Sequence, residues 1–229
     1  MDLKPFTYVG LLLATIAVPL ALSFDKNVHF WTKWKYLFPA ILITAVVFIY
    51  WDIQFTEAGI WSFNHDYVLG SYFYGLPLEE WLFFLIVPYA CLFIYEVLKF
   101  YFQQYEFPNL FVAISLGLVV IFALVSFFNR GQLYTFFNFL FAAIFLAYVI
   151  FRNRFKQHLT KFYGAYLVSL LPFLLVNGVL TALPVVEYNS SHILNIRAFT
   201  IPLEDFGYLF LLLLMNISIY ETLKGQRYY

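Results

Sequence analysis

Seven runs of mostly apolar residues, at 6–22, 36–51, 76–98, 110–128, 133–151, 162–183 and 201–223, occupy most of this chain. A helix needs about 20 such residues to cross the hydrocarbon core of a bilayer. The runs therefore predict an all-α integral membrane protein with seven transmembrane helices. Composition agrees: 63% of the residues are hydrophobic and 11% are charged, where a soluble domain carries about 25% charge. The first run lacks a basic start followed by a small-residue cleavage site, so it reads as helix one rather than as a secretory signal. The single cysteine, Cys91, lies inside a hydrophobic run, where it reads as a packing residue and forms no disulfide within the chain.

Net charge is zero and offers nucleic acid no electrostatic footprint, so no nucleic-acid partner is expected. The distribution of charge is informative. The connections after helices one, three and five, with the C-terminus, hold Lys26, Lys33, Lys35, Lys99, Arg152, Arg154, Lys156, Lys161, Lys224 and Arg227. The opposite side holds Lys4, Arg130 and Arg197. The excess of basic residues predicts a multi-pass protein of the inner, cytoplasmic membrane with the N-terminus outside and the C-terminus in the cytoplasm.

Sliding the chain on itself by 125 residues aligns 77–99 with 202–224 without a gap, with eight of 23 positions identical. Phenylalanine-rich helices match by chance at apolar positions, so the weight rests on Pro77/Pro202, Glu79/Glu204, Tyr95/Tyr220, Glu96/Glu221 and Lys99/Lys224, with Glu80 meeting Asp205. The same offset pairs Asp52 with Asn177, Thr56 with Thr181 and Asn64 with Asn189. Two parallel three-helix repeats joined by a linker helix follow, a 3+1+3 arrangement: 1–104, a linker span within 105–130, and 131–229. Repeats of this kind usually hold the functional site between the halves.

Carboxylates near the hydrocarbon core are costly and serve as functional candidates by default. Glu79-Glu80 and Glu204-Asp205 each follow Pro-Leu at the start of a span, and the repeat brings both turns to the same side. Proline and acids at a helix start are also ordinary first-turn chemistry, of order 0.3–1 kcal/mol per charge. Doubling of the acid in both copies goes beyond that, because successive helical residues point about 100° apart and one of each pair faces protein. Asp52 and Asn177 close helices two and six at the same depth, either orienting the acids or simply ending their helices. His65, His192 and Arg197 lie in the loops leading to the acidic turns, and Trp81, Phe206 and Tyr208 stand beside them. Glu96 and Glu221, three residues before Lys99 and Lys224, read as surface ion pairs.

Pro77-Leu78-Glu79-Glu80-Trp81-Leu82-Phe83-Phe84 and Ile201-Pro202-Leu203-Glu204-Asp205-Phe206 resemble the paired motifs of the heterodimer-type lycopene cyclases. Trp61-Ser62-Phe63-Asn64 and Asn177-Gly178-Val179-Leu180-Thr181 resemble that family's flanking signatures. In the family two three-helix polypeptides assemble or are fused, and this chain resembles the fused form over nearly its whole length. The resemblance implies cyclisation of lycopene or a related linear carotenoid in the membrane, most commonly to β-type rings, without net redox change and without cofactor or metal. Membrane lipid is the expected surrounding, with other carotenoid enzymes or a second copy as further partners.

Ring closure needs a proton delivered to a terminal double bond, attack of the neighbouring double bond on the tertiary cation, and removal of a ring proton. A carboxyl group normally ionises near pH 4, so the donor must be kept neutral by burial or by a second carboxylate. Paired acids at a lipid boundary meet both conditions. Glu79 and Glu204 are assigned as the acid and its partner, and Glu80 and Asp205 as proton-accepting or cation-stabilising carboxylates. Trp81, Phe206 and Tyr208 would offer aromatic faces to the cation.

A proton-coupled solute transporter of 3+1+3 architecture is the alternative, disfavoured because the acids lie at span starts rather than midspan. A retinal protein needs a lysine within a span, and helix seven has none before Lys224. The four histidines, His29, His65, His158 and His192, are not clustered as a metal-dependent hydroxylase requires, and no Gly-x-Gly-x-x-Gly signals a dinucleotide.

Overall fold

The computed structural model describes residues 3–152 and 155–225. Among these residues seven helices, α1 (Thr7–Leu22, which the preceding 3-10 turn Lys4–Phe6 lengthens to a 19-residue span), α2 (Trp34–Glu57), α3 (Leu78–Tyr101), α4 (Pro108–Phe128), α5 (Leu133–Phe151), α6 (Leu159–Ala182) and α7 (Leu203–Gly225), are long and apolar enough to cross a membrane. Lipid offers no hydrogen-bonding partner to the backbone, so each apolar segment satisfies its own N–H and C=O groups as a helix. Helix α2 runs six residues past its apolar run because Asp52 and Phe55 are buried inside the protein rather than in lipid. Pro77 is the cap residue of α3, with Leu78 the first helical position. The basic residues Arg154 and Arg227 lie outside the described residues.

Helices α3 and α7 are central and the most buried, whereas α1 and α4 are mostly exposed. Each packs on helices of both repeats. Helix α3 lies against α1 and α2 and also against α6, whereas α7 lies against α5 and α6 and also against α2 and α3. Helix α4 packs on α5 and α6 at the edge of the bundle. Helix α7 comes close to α5 at Gly207, where a Cβ would stand 2.8 Å from Asn138 Nδ2 and 3.1 Å from Phe139.

The loops over the acidic ends form short strands: β1 (Trp61–Phe63), β2 (Tyr72–Phe73), β3 (Leu76–Pro77), β4 (Val186–Tyr188), β5 (Arg197–Ala198) and β6 (Ile201–Pro202). Strands β2 and β3 make a hairpin in the first repeat, and β5 and β6 make its counterpart in the second. Gly70 and Asn195, equivalent by the 125-residue offset, both take a left-handed backbone at φ 81° and 59°, as do Tyr74 and Phe199. Strands β1 and β4 pair antiparallel across the repeats, Trp61 with Tyr188, Ser62 with Glu187 and Phe63 with Val186. Ser62 and Glu187 are themselves 125 residues apart. Antiparallel pairing of equivalent strands centred on equivalent residues is the mark of a local two-fold axis between the halves.

Candidate active site

The two acid pairs divide into different tasks. Glu79 Oε1 accepts the Leu69 N–H at 2.7 Å, and Glu204 Oε1 accepts the Leu194 N–H at the same distance. Leu69 and Leu194 are repeat equivalents, so each first glutamate ties the preceding loop to its own helix start. Glu204 Oε1 also accepts the Thr135 hydroxyl at 2.5 Å. Both glutamates are fully buried.

The second acids turn the other way. Glu80, Asp205 and Asp52 all line one cavity with about 100 Å³ of space open to the centre of a water molecule. Glu80 Oε2 accepts the Tyr8 hydroxyl at 2.6 Å, and Asp205 Oδ1 accepts that of Tyr134 at 2.8 Å. Asp52 lies within hydrogen-bonding reach of Glu80 and accepts the Tyr208 hydroxyl at 2.8 Å. Asp205 Oδ2 accepts from Asn177 Nδ2 and from the Tyr188 hydroxyl, each at 2.8 Å. Asn177 occupies in the second repeat the place that Asp52 holds in the first, so the two halves are chemically unequal. One half sets two carboxyl groups side by side; the other surrounds one carboxyl group with three neutral donors. Tyr188 lies in β4, outside the spans, and burial with Asp205 beside it pushes its phenol well above the usual tyrosine range, which keeps it a donor.

Aromatic rings wall the same space. Trp61 meets Tyr134 edge to face at 5.0 Å, Tyr134 and Tyr188 stack at 6.0 Å, and Tyr208 lies 6.3 Å from Tyr134 and 6.4 Å from Trp61. Of the three aromatics expected at the site, only Tyr208 lines the cavity. Trp81 points to the β2–β3 hairpin, its indole N–H donating to the Phe73 carbonyl at 3.4 Å. Phe206 packs against Phe173 at 5.1 Å, behind the cavity wall. His65 packs tilted against Tyr72 at 4.8 Å, the His192 carbonyl accepts the Tyr134 N–H at 3.0 Å, and Arg197 donates to the Thr200 carbonyl at 2.6 Å. These three shape the loops.

At the opposite end, the expected surface ion pairs are cross-repeat contacts instead. Lys224 donates to Glu96 at 2.8 Å and Lys99 donates to Glu221 at 2.6 Å, while Lys33, from within the first repeat, also donates to Glu96 at 2.5 Å. The i,i+3 contact of Lys224 with Glu221 is the longest at 3.9 Å. Because α3 and α7 run side by side in the same direction, each lysine meets the other helix's glutamate, and Glu96 is buried.

The family model described as lycopene cyclase matches residues 5–98 and again 131–223. The chain belongs to the lycopene cyclase family. No curated protein and no solved structure matches the chain. The family makes this a cyclase acting on a carotenoid in a multi-pass membrane setting, and its two matched segments leave out 99–130, the stretch that holds α4. The segments begin 126 residues apart and end 125 apart. A shift of 126 pairs Tyr8 with Tyr134, the two phenols on Glu80 and Asp205, and that is the signal by which these residues stood to be found. Tyr188 and the ring of Trp61 left no such trace, because the position equivalent to Tyr188 is Phe63.

Proposed function

We propose that the protein closes β-ionone-type rings on lycopene by acid–base carbocation chemistry at the Asp52–Glu80–Asp205 cluster. One observation carries the reading: three carboxyl groups from both repeats converge on one largely apolar cavity walled by aromatic rings. Two carboxyl groups in contact away from water share a proton, so the Asp52–Glu80 pair is the acid that protonates the terminal double bond. The neighbouring double bond then attacks the tertiary cation and forms the ring. Asp205, held as an anion by Tyr134, Tyr188 and Asn177, takes the ring proton whose loss leaves the β-type double bond. One proton enters and one leaves, so no electron acceptor is involved.

The faces of Trp61, Tyr134, Tyr188 and Tyr208 stabilise the positive charge without trapping it. Glu79 and Glu204 position the loops that roof the cavity. The excess of basic residues at the opposite end supports a roof on the outer side of the membrane.

Expression in a lycopene-accumulating bacterium, with chromatographic identification of the pigment, tests the reading. Monocyclic or bicyclic β-type product is expected, and unchanged lycopene at good expression would overturn it. The purified protein should cyclise lycopene in detergent or lipid without added nicotinamide, flavin or metal. Dependence on one of these, restored by adding it back, would refute the acid–base mechanism.

A further inference from the structure

The cavity is asymmetric about the local two-fold axis. From the carboxyl cluster it continues along α3 past Phe83, Val87, Ala90 and Cys91 to Ile94, with Val176, Phe173, Pro172 and Ser169 of α6 opposite and Thr15 of α1 at the side. Glu80 to Ile94 is 14 residues of helix, about 21 Å of rise, against about 30 Å for the hydrocarbon core. A space of about 100 Å³ drawn out over that length is a narrow slot. Its wall beyond the carboxyl groups carries no charged side chain.

The equivalent crevice would lie between α5, α7 and α2, where larger side chains stand at the matching places. Where the first crevice has Thr15 and Val176, the second has Phe141 and Trp51, whose rings meet edge to face at 5.3 Å. Trp51 also packs on Tyr208 at 5.3 Å, and Phe48 on Tyr208 at 5.0 Å. The counterparts of Ala90, Cys91 and Ile94, which are Met215, Asn216 and Ile219, do not line the cavity. Two smaller side chains line one crevice, and two large rings in contact stand at the matching places of its twin.

We propose that the extended polyene of the substrate lies in the crevice between α1, α3 and α6, with the end group to be cyclised at the carboxyl cluster and the rest pointing towards Ile94. The occupant is a rigid, uncharged hydrocarbon rod, because only such a ligand matches a long, narrow, apolar slot that ends in acids. The assignment rests on the cyclase reading above. It follows that one end group reacts at a time, since the rings of Trp51 and Phe141 stand where the twin crevice would take a second chain.

The test narrows the slot stepwise with Val176→Leu, Val176→Phe and Val176→Trp, with Ala90→Leu narrowing it from the opposite wall. Leu175→Trp, beside Val176 but on the lipid-exposed face, is the control. Two quantities are read at matched membrane abundance: cyclic product in a lycopene-accumulating bacterium, and lycopene retained in detergent by the same variants built on Asp205→Asn. Both should fall along the Val176 series, at least tenfold by Val176→Trp, and fall severalfold for Ala90→Leu, with the control within twofold of its parent. Wild-type product and retention in Val176→Trp, or in Val176→Leu and Ala90→Leu where the larger variants do not accumulate, would place the polyene elsewhere. Failure of the cyclase reading looks different, because the unaltered protein itself would then yield no cyclic pigment.

Discussion

The hydroxyl of Tyr208, in α7 of the second repeat, donates to Asp52 Oδ1, in α2 of the first, at 2.8 Å. Neither half therefore holds a complete carboxyl cluster. Asp52 stands by Glu80 within its own repeat and accepts from Tyr208 in the other, so the carboxyl groups of the two repeats are set relative to one another by packing between the halves.

Asp52→Asn converts the first repeat's residue into the second repeat's counterpart, Asn177, and keeps an acceptor for Tyr208. It removes the shared proton of the Asp52–Glu80 pair, so the rate of cyclisation should fall by roughly 10²–10⁴, the usual contribution of a general acid. Tyr208→Phe should cost about tenfold, roughly 1.5 kcal/mol for a lost hydrogen bond to a charged group. Initial rates of product formation at equal protein level check both, and an Asp52→Asn rate within twofold of the unaltered protein would remove Asp52 from the acid.

Glu80→Gln and Asp205→Asn should each abolish monocyclic and bicyclic products while the protein stays in the membrane. Glu79→Gln and Glu204→Gln keep a carbonyl oxygen for the Leu69 and Leu194 N–H groups, so they should retain much of the activity that Glu79→Leu and Glu204→Leu lose. Chromatography of the six variants separates the two roles. The reverse pattern, with Glu79→Gln and Glu204→Gln inactive and Glu80→Gln active, would return the acid to the first glutamate of each pair.

Glu96 of α3 accepts Lys224 and the Tyr220 hydroxyl of α7, and also Lys33 from its own repeat. Breaking a fully buried ion pair costs roughly 3–5 kcal/mol. The lysine side chains here are about a quarter exposed, which brings the expectation for Glu96→Gln to about 2 kcal/mol. A lowered thermal midpoint in detergent, with carotenoid products unchanged in kind, is the expected result. A midpoint equal to that of the unaltered protein would show that the cluster does not hold the halves together.

Ser190 is exposed in the loop between β4 and β5, on the same side as the acidic turns. A cysteine there should react with an impermeant thiol reagent in intact cells, whereas the native Cys91 is buried and should not. Labelling of the Ser190→Cys protein only after lysis would reverse the orientation.

Helix number, the repeat and the matching acid pairs at two helix starts were determined by the sequence alone. Lipid forces any apolar run of about 20 residues into a helix, and equivalent residues stand out at a constant offset. Which acid of each pair faces the cavity was not legible, because Glu79 and Glu80 are adjacent and only the bundle decides which of two neighbouring directions is inward. The ion pairs show the same limit: Lys99 is three residues from Glu96, yet it bonds Glu221 because α3 and α7 lie side by side. Trp61 and Tyr188 became neighbours only through strand pairing between the repeats. The open crevice depends on Thr15 and Val176 being small where Phe141 and Trp51 are large, and a side chain's size matters only once tertiary packing has set what stands opposite it.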